Sequence, residues 1–252
     1  KVEGKEYVVI LDFIGNYNNN FMIPVALSGD RTYNADVIRK YVISGNSTIP
    51  GASTIHFDEI SKEKIFKAID NIKQSTFKEL IKEGYVNLKN RLGRIPMFID
   101  FYENDEIDPL VIVREYKTYY SFVEQMEKTG EIFNLTEQEK LTLEYLSKTI
   151  LSGVRPGELE ILRLLLTKTH IAYSEIINNC NERYGYKITN KKIDLACNVL
   201  KGRFVVNKTE YEKFFNIDIL NTDGKKYLDR YCSYSERLMH NDFYKQIKDI
   251  IA

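Results

Sequence analysis

The hydrophobic pattern of the first 58 residues predicts a strand, then helices, then a second strand. Tyr7–Leu11 is a continuous apolar run bounded by charged residues, which is typical of a strand buried on both faces. Ser53–Phe57 follows the turn signal Pro50-Gly51 and predicts a second short strand. Two short helices are predicted between these strands, over Phe21–Leu27 and Asp36–Ile43.

Residues 59–134 show mainly helical spacing. A helix is predicted to begin near Asp58, because apolar residues follow at positions i, i+3, i+4 and i+7: Ile65, Ala68, Ile69 and Ile72. Thr76 and Glu79 have the spacing of a capping box for a helix that ends at Gly84, and another helix is predicted over Tyr85–Leu92. The chain between Ile95 and Pro109 is predicted to be loop. Val111–Val113 predicts either a strand or the start of a helix that continues through Met126.

From Leu135 the pattern changes to short helices of similar length. Thr136 and Glu139 form a second candidate capping box, and Pro156 lies where a helix tolerates proline, in its first turn. The remaining elements follow in order: a helix over Tyr173–Arg183, a helix from Asn190 to Gly202, a strand at Phe204–Val206, a helix opening at Thr209–Glu212, and a helix from Thr222 to the end.

Three helices, a turn and a strand between Pro156 and Val206 are the order of a winged-helix or related helix-turn-helix module. In this interpretation Asn190–Lys201 is the recognition helix. Any small three-helix bundle produces the same pattern, so a bundle that is not a helix-turn-helix module stays an alternative.

Composition restricts the chemistry. No apolar run approaches the roughly 20 residues of a membrane helix, and no signal-peptide pattern opens the chain, which favours a cytoplasmic protein with no membrane partner. The three cysteines, Cys180, Cys197 and Cys232, are too few and too widely spaced for a disulfide framework or a zinc site, and core packing on apolar helix faces is their expected role. His56, His170 and His240 lack metal-ligand spacing, and His56 is expected to be structural.

The net charge of zero conceals opposed segments. Ser61–Arg94 holds nine basic and four acidic residues, a net charge of +5, and Lys187–Lys208 holds six basic residues against Asp194, also +5. Ile99–Glu144 holds twelve acidic and four basic residues, a net charge of −8. The second basic segment lies on and after the predicted recognition helix, where phosphate contacts are expected. A basic face that is merely solvated is the alternative.

Catalytic motifs are sparse. The sequence contains neither the phosphate-binding GxxxxGK[ST] loop nor the GxSxG nucleophile elbow. Asp100, the run Val111–Val113 and Glu115-Tyr116-Lys117 resemble the metal-binding arrangement of restriction-type nucleases, in which two carboxylates hold Mg²⁺ and a lysine stabilises the attacking hydroxide. The alternative is a solvated acidic loop followed by the start of a helix.

The opening residues carry a resemblance to a known family. Gly4-Lys5-Glu6-Tyr7-Val8-Val9-Ile10-Leu11-Asp12-Phe13-Ile14-Gly15-Asn16-Tyr17, followed by Ile23–Asp30, resembles bacterial superfamily-2 (DEAD/DEAH-type) helicases just after the last helicase motif. Gly51–Asp58, Leu92–Pro96 and Ser152–Leu159 resemble the uncharacterised domain fused behind that helicase core. The resemblance implies that the motor's nucleotide-binding lysine, acidic pair and arginine finger lie upstream of Lys1. It therefore implies no ATP binding or hydrolysis by this chain itself, whereas ATP and Mg²⁺ serve the parent protein.

These observations combine into an expected α+β, mostly helical chain. Residues 1–58 are expected to be the C-terminal end of the second RecA-like domain, 59–134 a helical connector, 135–208 a winged-helix-like module and 209–252 a helical extension. The expected function is non-catalytic nucleic-acid binding, to DNA, in support of an ATP-dependent helicase motor, with Lys191, Lys192, Lys201 and Arg203 contacting phosphates and with no metal site or cofactor in the chain. The alternatives are a protein-interaction scaffold that docks the motor or another subunit, and the Mg²⁺-dependent nuclease.

Overall fold

The computed structural model describes residues 22–29, 34–44, 57–70, 74–104, 106–128, 132–151, 153–203, 208–214, 217–223 and 226–251. Within these ranges the chain is mostly helical, with one small antiparallel sheet, so its class is α+β as expected. The chain divides into two compact units, Lys1–Ile81 and Lys82–Ala252. The predicted boundaries of the four segments do not include this division, and they stay predictions.

The described part of the first unit contains helices α1 (Met22–Ser28), α2 (Ala35–Ser44) and α3 (Glu59–Asp70). These three helices confirm the elements predicted from the apolar spacing. They surround a small core that includes Val25, Ile38, Tyr41 and Ile65. The predicted strand Tyr7–Leu11 lies outside the described residues, as does Ser53–Phe57 except for Phe57, which is buried in this core.

Helix α4 (Gln74–Leu92) runs without interruption through Gly84, so the prediction that a helix ends there is wrong. It also begins two residues before Thr76, the predicted cap. Gly84 is explained by packing, because a Cβ atom at this position would lie 2.7 Å from Cδ1 of Ile107. The glycine therefore permits a close approach of the 106–108 segment to the helix.

The segment predicted to be loop contains helix α5 (Phe98–Glu103), and Val111–Val113 lies in helix α6 (Pro109–Tyr116) rather than in a strand. Asp108 caps α6 by accepting a hydrogen bond from the amide of Leu110 at 2.9 Å. Helix α7 (Tyr119–Glu127) is separate from α6, because Lys117 adopts φ = +69° and Thr118 caps the next helix. The single predicted helix is thus two short ones.

Helix α8 (Glu137–Thr149) begins at the predicted capping box, which is confirmed. The hydroxyl of Thr136 accepts from the amide of Glu139 at 3.3 Å, and the Glu139 carboxylate accepts from the amide of Thr136 at 2.7 Å. Local sequence alone determines this helix start.

The remaining elements are α9 (Pro156–Thr167), β1 (His170–Ala172), α10 (Tyr173–Tyr184), α11 (Asn190–Leu200), α12 (Lys208–Phe214), β2 (Leu220–Thr222), β3 (Tyr227–Arg230), α13 (Cys232–Leu238) and α14 (Asn241–Ile251). The predicted helices α9, α10, α11 and α12 are confirmed. The prediction of helix from Thr222 to the end is wrong, because Thr222 belongs to β2 and β3 follows before α13 begins. The predicted strand Phe204–Val206 lies outside the described residues.

The sheet has the strand order β1-β3-β2, and both pairs are antiparallel. Ile171 pairs with Leu228, and Leu228 also lies opposite Thr222, so β3 is central. The inner face of the sheet packs on the main core of the second unit, with Ile171, Leu220 and Leu228 fully buried. That core also contains side chains from α8, α9, α10, α11 and α14. Among the described residues, no helix is both long and apolar enough to cross a bilayer.

Candidate nucleic-acid interface

Helix α11 has one buried face and one exposed face. Ile193, Ala196, Cys197 and Leu200 recur at helical spacing and are buried, which fixes the helix against α9 and α10. Gly157 at the start of α9 allows this close packing, because a Cβ atom there would lie 2.7 Å from Cδ1 of Ile188 and 3.8 Å from Cβ of Ala196. The opposite face of α11 is left to solvent.

Two tyrosine hydroxyls hold α11 from neighbouring helices. Tyr173 donates to the carboxylate of Asp194 at 2.7 Å, and Tyr145 on α8 donates to the carbonyl oxygen of Val199 at 2.5 Å. Burial raises the pKa of Tyr173 above its usual range, and the hydrogen bond to Asp194 raises it further. Both phenols therefore stay protonated donors at neutral pH, and α11 is held near its middle and near its end.

Lys191 and Lys192 lie in the first turn of α11, and both side chains are exposed. The ammonium of Lys192 donates to the hydroxyl of Tyr186 at 3.0 Å and lies 4.9 Å from the centre of that ring. The N-terminal end of a helix also carries partial positive charge from its free amides. This end of α11 is therefore suited to contact an anionic backbone.

Lys201 and Arg203 lie beyond the other end of α11. Lys201 is half-buried and donates to the hydroxyl of Thr222 at 2.8 Å, and Arg203 is exposed and donates to the side-chain oxygen of Asn198 at 3.4 Å. Burial of the ammonium lowers the pKa of Lys201, and the charge of Arg203 acts in the same direction. The two cations are close enough to influence each other.

The four predicted phosphate contacts therefore form two pairs at opposite ends of one helix. Lys201 lies ten positions after Lys191, which corresponds to about 15 Å along a helix axis. Between the pairs, the exposed face presents Asp194, Leu195 and the half-buried Asn198. The sequence predicts the four residues on and just after one helix, and the structure places them at the two ends of α11.

Residues 81–252 match a protein family described as a domain of unknown function, DUF8090. The chain belongs to this family. The match begins at the division between the two compact units, so the DUF8090 region and the second unit are nearly coextensive. No curated protein matches the chain. All four candidate residues lie within the DUF8090 region.

The nuclease residues also lie in the DUF8090 region, where their arrangement differs from the predicted one. Asp100 is buried on α5, where its carboxylate accepts hydrogen bonds from Arg94 at 2.6 and 2.9 Å and from the amide of Met97 at 2.5 Å. Burial alone would raise the pKa of Asp100, but these hydrogen bonds hold the pKa below its usual range. Glu115 lies on α6 next to Arg114, and Lys117 follows that helix. The strand that should join them is absent, since Val111–Val113 is helical.

No group of three or more His, Cys, Asp or Glu side chains is placed to hold a metal ion in the described part of the chain. Within the DUF8090 region, Cys180 and Cys197 are buried in the core as expected, and burial raises their pKa values to about 11 and about 12. Cys232 is exposed, so the expectation of a core role is wrong for this residue. His56 lies outside the described residues.

A polar cluster on the sheet was not predicted. His170 on β1 lies opposite Asp229 on β3, with 2.6 Å between Nδ1 and the carboxylate, and its ring stacks on Tyr227 with the ring centres 4.9 Å apart. The residues come from strands that are nearly 60 positions apart in sequence. Their meeting depends on the pairing of β1 with β3, for which the local sequence carries no signal.

Proposed function

We propose that residues 156–230 form a winged-helix-like nucleic-acid-binding module with α11 as its recognition helix. The observation that carries this proposal is the element order α9-β1-α10-α11-α12-β2-β3, which becomes helix-strand-helix-helix-strand-strand when α12 is set aside, combined with the antiparallel sheet order β1-β3-β2. That order is typical of winged-helix domains, in which the third helix faces the nucleic acid and the last two strands form the wing. In this proposal the module extends to Arg230 instead of ending at residue 208, and α12 is an insertion before the wing.

The composition of the exposed face of α11 supports nucleic acid as the partner. Its exposed side chains are Lys191, Lys192, Asp194 and Leu195, and Asp194 already accepts the hydrogen bond from Tyr173. A recognition helix lies in the major groove with its N-terminal residues at the base edges, and basic side chains also reach the flanking phosphates. Lys191 and Lys192 occupy this N-terminal position on α11, and Leu195 lies in the middle of the helix.

The wider role in this proposal is to hold DNA for an ATP-driven superfamily-2 helicase motor. The support for this part is the resemblance of Gly4–Tyr17 and Ile23–Asp30 to the end of such a motor, and most of those residues lie outside the described ranges. The DUF8090 region then acts as an accessory segment without catalysis. The motor supplies ATP hydrolysis and its Mg²⁺.

Electrophoretic mobility shifts over a salt series test the binding proposal. The 252-residue chain is titrated with duplex and single-stranded DNA, alongside the double variant Lys191→Ala/Lys192→Ala. Loss of two phosphate contacts lowers the salt slope of log K by about 1.8 and weakens binding to all sequences. The control is Lys245→Ala/Lys248→Ala, which removes the same charge from two exposed positions on α14.

Two results would overturn the proposal. One is that the chain binds no nucleic acid at low salt. The other is that the α11 and α14 double variants show the same salt slope as the unaltered chain, because binding would then depend on some other surface.

A second candidate function, docking of a protein partner, is favoured by exposed apolar side chains in the first unit. Ile43 is 71% exposed and Ile60 is 68% exposed, and Leu27 and Val37 are also exposed. On α11, by contrast, Leu195 is the one exposed large apolar residue. The two functions differ in their salt dependence, since apolar docking does not weaken steeply as salt rises.

A further inference from the structure

A polar cavity of about 220 Å³ lies beyond the C-terminal end of α11. Lys201 and Arg203 line one side of it, and Asn221 on β2 and Tyr231 before α13 contribute a side-chain amide and a phenol. Asp218, Ile219 and Leu220 complete the lining. The cavity therefore gathers two cationic side chains, the carboxylate of Asp218 and two further polar side chains from three separate parts of the chain.

Among the described residues, the two cations in this cavity have few hydrogen-bond partners. Neither Lys201 nor Arg203 forms an ion pair within 4.0 Å with a carboxylate of the described residues. The Lys201 ammonium uses one donor on Thr222, and the Arg203 guanidinium has one long contact to Asn198, so most of their eight N–H groups have no acceptor among the described residues. Two like charges held together in this way favour an anion between them.

We propose that this cavity binds a phosphate monoester, namely the terminal phosphate of a nucleic-acid strand. The inference rests on the proposed nucleic-acid-binding function and specifies which part of the strand this end of the site takes. A phosphate monoester carries a charge of about −1.5 to −2 at pH 7, whereas an internal phosphodiester carries about −1. Lys201 and Arg203 outweigh the single carboxylate of Asp218 in the lining, so a dianion is attracted more strongly than a monoanion, and arginine can bind phosphate through two parallel hydrogen bonds.

The origin of the lining residues supports a single bound phosphate. They come from three separate parts of the chain, so one phosphate can be contacted from several sides of a cavity that is open to solvent. The partial burial of Lys201, which lowers the pKa of its ammonium, also strengthens its attraction to a charged group, since less water screens it. The Lys191 and Lys192 pair, about 15 Å away along the helix, is free to contact internal phosphates.

The test compares oligonucleotides that differ only in their ends. The affinity of the 252-residue chain is measured by fluorescence anisotropy for one sequence with a 5′-phosphate, a 3′-phosphate or hydroxyls at both ends. We expect one of the two phosphorylated oligonucleotides to bind about tenfold more tightly than the oligonucleotide with hydroxyls at both ends. A change of about tenfold is the size expected for a charge-assisted hydrogen bond. Arg203→Gln and Lys201→Met should each remove this preference, and Lys191→Ala/Lys192→Ala should weaken all three oligonucleotides while keeping it.

Additional titrations distinguish failure of this inference from failure of the proposed function. Equal affinity for phosphate and hydroxyl ends would overturn this inference and leave the proposed function standing. Adenosine monophosphate and inorganic phosphate are titrated by calorimetry as free sources of the same chemistry. If adenosine monophosphate binds in an Arg203-dependent manner but no oligonucleotide binds, the strand end is overturned as the source, together with the nucleic-acid function. Circular dichroism of each variant confirms that loss of binding does not reflect unfolding.

Discussion

The carboxylate of Asp249 on α14 accepts a hydrogen bond from the backbone amide of Phe98, at the start of α5, at a distance of 2.7 Å. This hydrogen bond joins residues 151 positions apart and connects α14 to the start of α5. Burial raises the pKa of Asp249 to about 6, although the amide hydrogen bonds oppose the shift. Ionised Asp249 is therefore unfavourable in the folded state.

The raised pKa of Asp249 predicts a specific pH dependence of stability. Between pH 4 and pH 6 the folded chain binds a proton that the unfolded chain has lost, so this group makes the free energy of unfolding fall as pH rises through that window. The shift of about two pKa units corresponds to about 3 kcal/mol. Asp249→Asn keeps an oxygen for the Phe98 amide and removes the titration.

Urea unfolding of both proteins at pH 4, 5, 6 and 7 checks this prediction. The difference in unfolding free energy between Asp249→Asn and the unaltered chain isolates the group, because contributions from neighbours such as Asp100 and Arg94 are present in both. We expect the variant to gain relative stability as pH rises from 4 to 6. A difference that does not change with pH would contradict the account of Asp249.

The contact between Gly84 and Ile107 predicts a change of sign in a mutational cycle. Gly84→Ala adds a methyl group 2.7 Å from Cδ1 of Ile107, and overpacking of this kind costs about 1–3 kcal/mol. An Ile107→Ala background lacks both Cδ1 and Cγ1, the second of which would lie 3.1 Å from the added methyl group, so the same change should instead stabilise the helix by about 0.5–1 kcal/mol. Chemical denaturation of the four proteins measures both values. Equal effects of Gly84→Ala in the two backgrounds would show that the glycine is unrelated to this packing.

The hydrogen bond from Tyr145 to Val199 predicts a modest loss of stability. Tyr145→Phe removes one donor to the carbonyl near the end of α11, which also accepts from the amide of Gly202, so we expect a loss of about 1 kcal/mol. Tyr227→Phe, at a half-exposed ring, is the matched control and should change the midpoint of urea unfolding very little. The prediction is wrong if both variants unfold at the same urea concentration as the unaltered chain.

Elements with local signals were predictable from the sequence. The start of α8 follows from the reciprocal spacing of Thr136 and Glu139, and α11 follows from four buried residues at helical spacing. The basic residues of α11 were identifiable for the same reason, because charge and helical position are both local properties. These signals do not depend on distant parts of the chain.

The sheet and the cavity required information that local sequence does not carry. Strands β2 and β3 are three and four residues long, too short for a reliable alternating pattern, and β3 is stabilised by pairing with β1 far away in sequence. The cavity needs Asn221 and Tyr231 brought beside Lys201 by that sheet. Gly84 was misread because a glycine that ends a helix and a glycine that admits a neighbour look alike in sequence.

Site-specific crosslinking tests most directly whether α11 contacts nucleic acid. Leu195 is 48% exposed in the middle of the α11 face, and Met239, which is 83% exposed at the end of α13, provides a control position. Each is changed to cysteine in a Cys232→Ser background, which leaves only the buried Cys180 and Cys197, and is labelled with a photoactivated maleimide.

The labelled proteins are irradiated with bound DNA at low salt, and the crosslinked product is quantified on a denaturing gel. The account predicts efficient crosslinking from Leu195→Cys and little from Met239→Cys. Equal yields from the two positions, or a higher yield from Met239→Cys, would contradict the assignment of α11 as the nucleic-acid-binding helix.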